Sequence, residues 1–202
     1  MSAQKGPANG QRVQSSAAQR VLETASRLFY EEGIGATGVD TVVARSGVAK
    51  MTLYKHFGSK DELVGAYLRQ RDEVWRARLT TTVEERSEPR DRLLAVFDAL
   101  DAWLSGEVEG FRGCAFVNAV AEISTPGHPA RQVALDQKRW MRSYMKELAA
   151  QAGATDPEGL AEQLFVLVEG VTVTTVLRDR SEAMRGARDA AEVLIAAHGL
   201  TP

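Results

Sequence analysis

Between Thr37 and Lys60 the chain reads TGVDTVVARSGVAKMTLYKHFGSK, and no other stretch limits its fold as tightly. Two short amphipathic segments flank an SGV turn. In the first, Val39, Val42, Val43 and Ala44 form an inward apolar stripe. Thr37 is placed to cap its N-terminus, with Asp40 three residues on completing a capping box. Gly47 ends the segment, because glycine enters the left-handed region with no steric penalty. In the second, Leu53 and Phe57 stand four apart and anchor it to a core. Lys50, Met51, Thr52, Tyr54, Lys55 and His56 are left outside. Gly58 stops this helix, Ser59 caps the next with Glu62 at its third position, and Lys60 sits at the junction. A tight turn between two helices, the second with a polar, aromatic and basic outer face, is the layout of a helix-turn-helix. One helix crosses the DNA backbone and the next enters the major groove. A solvated surface helix is the plainer alternative, and Lys50, Lys55 and Lys60 alone would not exclude it.

The charge distribution supports the first reading. Residues 1–60 hold eight Lys/Arg and four Asp/Glu (+4), and residues 61–202 hold seventeen and twenty-three (−6), although the whole chain carries only −2. A basic head on an acidic body fits a protein whose head alone meets nucleic acid. Cys114 is the only cysteine, so no intramolecular disulfide forms and a reducing, cytoplasmic setting is expected. No run approaching a membrane span and no apolar signal core is read from the sequence. Residues 1–15 are expected to form a flexible basic tail, in which Lys5 and Arg12 are available as a loose arm on DNA.

The rest reads as helical, giving an all-α fold of about nine helices. A helix-turn-helix domain is expected over 16–60 and a larger ligand-binding and dimerisation domain over 61–202. The first helix is expected from about Ser16 to Glu32 on the stripe Val21, Leu22, Ala25, Leu28 and Phe29. A long fourth helix runs from Ser59 to about Thr82. The fifth follows Pro89, a residue suited to a first turn. The sixth spans GCAFVNAVAEIS, and the seventh runs from about Ala130 to Gln151. Asp156 caps the eighth, with Pro157 in its first turn. The run VTVTTV, Val171 to Val176, has strand propensity. It is read as helix because the surrounding apolar residues keep helical spacing. Small residues along Ser181 to His198 mark a ninth helix able to approach a neighbour closely.

The string VARSGVAKMTLYKHFGSKDELV, Val43 to Val64, resembles the DNA-binding domain of the TetR family of transcriptional repressors, and the preceding RVLETASRLFYEEGIGATGVD resembles that family's first helix and joint. The match covers about residues 17 to 65. It rests on the hydrophobic spacing, the glycine turn and the Tyr-x-His-Phe-x-x-Lys tail. Met51 departs from the pattern, which often has Gly, Pro or Ala there. The resemblance implies a homodimeric repressor on a double-stranded, palindromic operator. It also implies release by a small hydrophobic effector that moves helix four and separates the heads. Lys50, Met51, Thr52 and Lys55 are then expected on base edges and Tyr54, His56 and Lys60 on phosphates, with Thr37 and Arg45 flanking the groove. An activator or architectural protein without a ligand shares the head and stands as the alternative.

Two further groups complete the expectations. Phe97, Trp103, Phe116, Trp140, Tyr144 and Phe165, with Cys114, Asn118, Glu122 and Glu169, have the apolar-plus-few-polar make-up of an effector pocket. Leu164, Val168, Val171 and Thr175 on the eighth helix, with Ala187, Ala191 and Leu194 on the ninth, are candidates for a twofold four-helix interface. Half-sites would then lie about one DNA turn apart. No catalytic set, cofactor or metal site is expected: Cys114 has only the distant His128 for a base, and the three His residues are scattered.

Overall fold

The computed structural model describes residues 9–106 and 111–201, with side chains from Ala17 onward. Among these residues there is no strand and there are nine helices: α1 (Asn9–Glu31), α2 (Val39–Ser46), α3 (Lys50–Phe57), α4 (Lys60–Glu84), α5 (Pro89–Gly106), α6 (Ala115–Glu122), α7 (Pro129–Ala152), α8 (Pro157–Leu177) and α9 (Arg180–Ala197). The all-helical expectation holds. Helix α1 starts at Asn9, seven residues before the expected Ser16. Lys5, and the side chain of Arg12, lie outside the described residues.

Local chemistry sets most boundaries. Ser59 accepts the Glu62 amide at 3.1 Å to start α4, and Asp156 accepts the Gly159 amide at 3.0 Å to start α8 behind Pro157. Asp179 accepts the amides of Ser181 and Glu182 at the start of α9. Helix α7 uses a cap the sequence did not announce: His128 Nδ1 accepts the Ala130 amide at 3.1 Å, with Pro129 in the first turn. The VTVTTV run is helical. Thr172, Thr174 and Thr175 donate their hydroxyls to the carbonyls of Val168, Gly170 and Val171, so the β-branched residues are satisfied inside the helix. Helix α6 is shorter than expected and leaves Ile123 and Ser124 outside.

The buried side chains form two cores. One fills the body, where Leu79, Phe97, Met145, Leu164 and Ile195 meet from α4, α5, α7, α8 and α9. The other lies under the helix-turn-helix. It joins Val21, Leu28, Val42, Leu53 and Leu63 to Ala119, Ile123, Ala130 and Ala134. Helix α6 and the first turns of α7 therefore belong to the head's core, and so does the first third of α4. Ala44, read as part of the inward stripe, is exposed.

Helix α8 corrects one expectation. Its 21 residues, with a mean hydropathy of 1.5 over an 18-residue stretch, make it long and apolar enough to cross a membrane by length and composition alone. Two faces explain this. Leu160, Leu164, Val168 and Val171 are buried against neighbouring helices, while Val166, Val173 and Leu177 face outward.

Phe97 is 1% exposed and sits inside the body core. Phe97→Ala should cost about 3–5 kcal/mol of stability, read by urea unfolding, because the collapsed core cannot refill the space. A loss below about 1 kcal/mol would show that Phe97 borders open volume.

Candidate nucleic-acid interface and internal cavity

Helices α2 and α3 meet across Gly47, which has a φ of 65° and donates its amide to Val43 O. Leu53 is fully buried and pins α3 to the head. Residues three and four apart share one helix face, so Met51, Tyr54 and Lys55 point outward together. Met51, at 81% exposure, is the tip of that face. Thr52 lies half-buried beside it.

The cations expected around this face are mostly paired. Lys50 Nζ donates to Asp40 Oδ1 at 2.7 Å, and this bond and the Asp40 charge hold the ammonium above the ordinary lysine range. Arg45 pairs with Glu32 at 3.0 Å. Lys55 has no such partner among the described residues. His56 is half-buried, and its Nε2 is covered and unpartnered, so a phosphate reaches that nitrogen only if the ring turns.

Thr37 requires a correction. It is fully buried, and its hydroxyl donates to Gly33 O at 2.8 Å, with Leu28 O at 3.3 Å. Gly38 is the N-cap of α2, without a side-chain hydrogen bond. Thr37 therefore closes the α1–α2 turn from inside. Asp40, freed from the expected capping box, serves Lys50.

Lys60 also sits differently. Its Nζ donates to Ile34 O at 2.6 Å. On the other side of the same peptide group, the Gly35 amide donates to Glu122 Oε2 at 2.7 Å. One peptide plane in the α1–α2 turn is thus held by a cation at its oxygen and a carboxylate at its N–H. Each polarises the peptide so as to strengthen the other. Lys60 is the first residue of α4 and Glu122 the last of α6.

Both helices also wall a partly open cavity of about 60 Å³ in the body. Helix α4 contributes Arg71 and Trp75, and the start of α6 contributes Cys114 to Phe116. Trp103 and Phe111 close one side, and Gln137, Lys138, Met141 and Glu169 the other. Lys138 Nζ donates to Glu169 Oε1 at 2.6 Å and lies 3.4 Å from Cys114 Sγ. Trp75 and Trp103 meet edge to face at 5.5 Å, and the Trp75 N–H finds only the soft Met141 sulfur, at 3.1 Å. Gln137 is 4% exposed, and its Oε1 has no hydrogen-bond partner among the described residues.

Of the ten expected pocket residues, Trp103, Cys114, Phe116 and Glu169 line this cavity. The other six lie elsewhere. Phe97 is core. Trp140 and Tyr144 stack on each other at 5.1 Å, with Arg76 over the Trp140 ring. Asn118 and Glu122 border a separate cleft beneath the head, and Phe165 lies in an outer groove with Val117 and Leu135. Gln137 was missed although it carried a signal: it occupies a core position in the series Ala130, Ala134, Gln137, Met141 on α7. Cys114 and His128 form no nucleophile–base pair, since His128 is occupied as a cap and by Asp61 at 3.3 Å.

Leu164, Val168, Val171, Ala187 and Ala191 are buried within the subunit, and Leu194 packs partly against the same core. Thr175 is half-buried, its hydroxyl bonded to Val171 O. The outward faces of the two helices carry other residues: Val166, Gly170, Val173 and Leu177 on α8, and Gly186, Ala190, Val193 and Ala197 on α9. Each set follows i, i+4, i+7, i+11, one continuous helical stripe.

Comparison with known proteins gives a consistent picture. The family model described as bacterial regulatory proteins, tetR family, matches residues 21–67, and that of the tetracyclin repressor-like C-terminal domain matches residues 89–191. A TetR-family transcriptional regulator from Streptomyces coelicolor is 34% identical in sequence, covering 92% of this chain and 97% of its own, with a TM-score of 0.85. The HTH-type transcriptional regulator YjdC of Escherichia coli is 29% identical over 166 residues, 81% of this chain and 84% of that protein. A transcriptional regulator from Saccharomonospora viridis, solved in complex with choline, shares the fold at 20% identity and a TM-score of 0.73, over 90% of this chain and 96% of its own.

Thr37→Val should cost about 1 kcal/mol in chemical denaturation, because it removes the buried hydroxyl's bonds to Gly33 O and Leu28 O, while Thr37→Ser should hold. Met51→Ala, at the exposed tip, should leave the denaturation midpoint unchanged. The reverse ordering would place Thr37 at the surface.

Proposed function

Because the chain belongs to the TetR family of transcriptional regulators, we propose that it acts as a homodimeric repressor released from its operator by a small molecule bound in the α4–α6–α7–α8 cavity. The observation that carries this reading is that cavity and clamp share two helices. Helix α4 supplies Lys60 at one end and Arg71 and Trp75 in the cavity wall. Helix α6 supplies Glu122 at one end and Ala115 and Phe116 in the same wall. From Lys60 to Trp75 is fifteen residues, a lever of roughly 22 Å.

The cavity's size gives the lever a reason to move. At about 60 Å³ it is smaller than the roughly 150 Å³ cavity that accepts a benzene ring in an engineered apolar core. Seating an aromatic ring fully inside this partly open cavity displaces its walls, and two of those walls end at the α1–α2 turn. An effector that prefers the displaced arrangement shifts the population toward a head orientation that fits DNA poorly. The shift is limited by its differential affinity for the two states.

On DNA, Met51, Thr52, Lys55 and Lys50 address base edges and Tyr54 addresses phosphate. Arg45 and Lys50 exchange their carboxylate partners for the groove and its rim. Lys60 acts through the turn, and Thr37 only shapes it. The outward stripes of α8 and α9 form the twofold contact. Gly170 and Gly186 have open space around them, so a facing helix can approach closely. The protein operates in the cytoplasm, where its operator is, and no catalytic step enters its action.

In mobility shifts at moderate salt, the DNA upstream of its own gene should bind more tightly than a scrambled sequence; equal affinity would sink specific repression. Lys55→Ala should alter preference at one base position, whereas Tyr54→Phe should weaken all sequences alike and leave the salt dependence unchanged, since no charge is lost. Val173→Asp combined with Val193→Asp should convert a dimer to a folded monomer by light scattering and abolish binding to a palindrome. A dimer that survives both charges would place the interface elsewhere.

A further inference from the structure

Resting on the reading of the cavity as an effector site, we propose that the effector is a phenol, a small aromatic ring carrying a hydroxyl. Three features of the wall select it. The first is Gln137. Its Oε1 is a buried acceptor, 4% of the residue is exposed, and it has no partner among the described residues. A buried acceptor left unmet is costly, so the occupant that gains most is one bringing a donor to it. Toluene brings none, and a carboxylate brings a second acceptor.

The second feature is charge. Arg71 Cζ lies 5.1 Å from the Trp103 ring centroid and 4.5 Å from that of Tyr30, and Lys138 Nζ lies 6.0 Å from that of Phe116. Two of the four wall aromatics that could receive a cationic ligand, Trp103 and Phe116, already face cations. Quaternary ammonium groups are therefore disfavoured here, although a distant structural relative was solved with choline. The Lys138–Glu169 pair is closed at 2.6 Å, so an anion must either break it or face the Glu169 carboxylate. A neutral hydroxyl avoids both penalties.

The third feature is shape. Trp75, Trp103, Phe111 and Phe116 contribute four aromatic surfaces, and the two indoles already meet edge to face at an interplanar angle of 77°. A planar ring extends such edge-to-face and offset contacts, which a saturated ring of the same size cannot make.

The test is binding of 4-methylphenol, toluene, benzoate, cyclohexanol and choline to the full-length protein, by calorimetry and thermal shift. 4-Methylphenol should raise the melting temperature and bind about tenfold more tightly than each of the others. In Gln137→Met the advantage over toluene should shrink to about twofold, with toluene itself unaffected. Toluene, cyclohexanol, benzoate or choline binding as tightly as 4-methylphenol would overturn the assignment, as would no binding of 4-methylphenol. Should Gln137→Met fail to fold by circular dichroism, the wild-type comparison of 4-methylphenol with toluene decides alone. Operator release is read separately. A phenol that binds without releasing DNA keeps the ligand class and sinks the effector reading. Benzoate or choline that binds more tightly and releases DNA does the opposite.

Discussion

The grip on the Ile34–Gly35 peptide is the constraint on which the rest of the structure depends. Lys60 and Glu122 take opposite sides of one peptide group, at 2.6 and 2.7 Å. They come from the beginning of one helix and the end of another. The turn they hold leads directly into α2, so its orientation sets that of the helix-turn-helix. Thr37 supports the turn from beneath through its bond to Gly33 O. Tyr30 adds a further tie, donating its hydroxyl to Gly113 O and accepting the Arg112 amide. The head is thus fastened to the body by directional polar contacts as well as by a shared apolar core. Directional contacts have discrete made and broken states, and a packed apolar interface is likewise bistable rather than continuously deformable.

The sequence disclosed helices more readily than their contacts. Helical periodicity and cap chemistry, such as Ser59 with Glu62 and Asp156 with Pro157, act over three or four residues and can be read in order along the chain. So could Gly47, because its left-handed φ is a local demand. What stayed hidden depends on residues far apart. Thr37 has the composition of a cap, and only the arrival of the Gly33 and Leu28 carbonyls shows that its hydroxyl is turned inward. Lys60 has the composition of a phosphate contact until Ile34 O is seen beside it. Glu122 was grouped with the aromatic pocket, yet it reaches 87 positions back to Gly35.

The interface helices illustrate the same limit. Both α8 and α9 are apolar on more than one side, so periodicity alone could not say which stripe faced the subunit's own core. Leu164 and Val168 took the inner position, leaving Val166, Val173 and Val193 outside. Gln137 is the instructive exception: one polar residue at a core register was visible in the chain, and it lies at the cavity.

The pairing of Lys50 with Asp40 and Arg45 with Glu32 has a consequence for searching a genome. Non-specific DNA binding is driven by cations that shed counterions onto phosphate, and a bacterial chromosome offers a vast excess of wrong sites. Of the four cations expected on this face, Lys55 alone has no partner among the described residues; the others already hold an oxygen from their own chain. An intramolecular carboxylate competes with any phosphate for the same ammonium or guanidinium. Lys50 and Arg45 thus carry an intramolecular rival for phosphate, a modest one because both pairs are exposed, and it would weaken non-specific contact at those two cations.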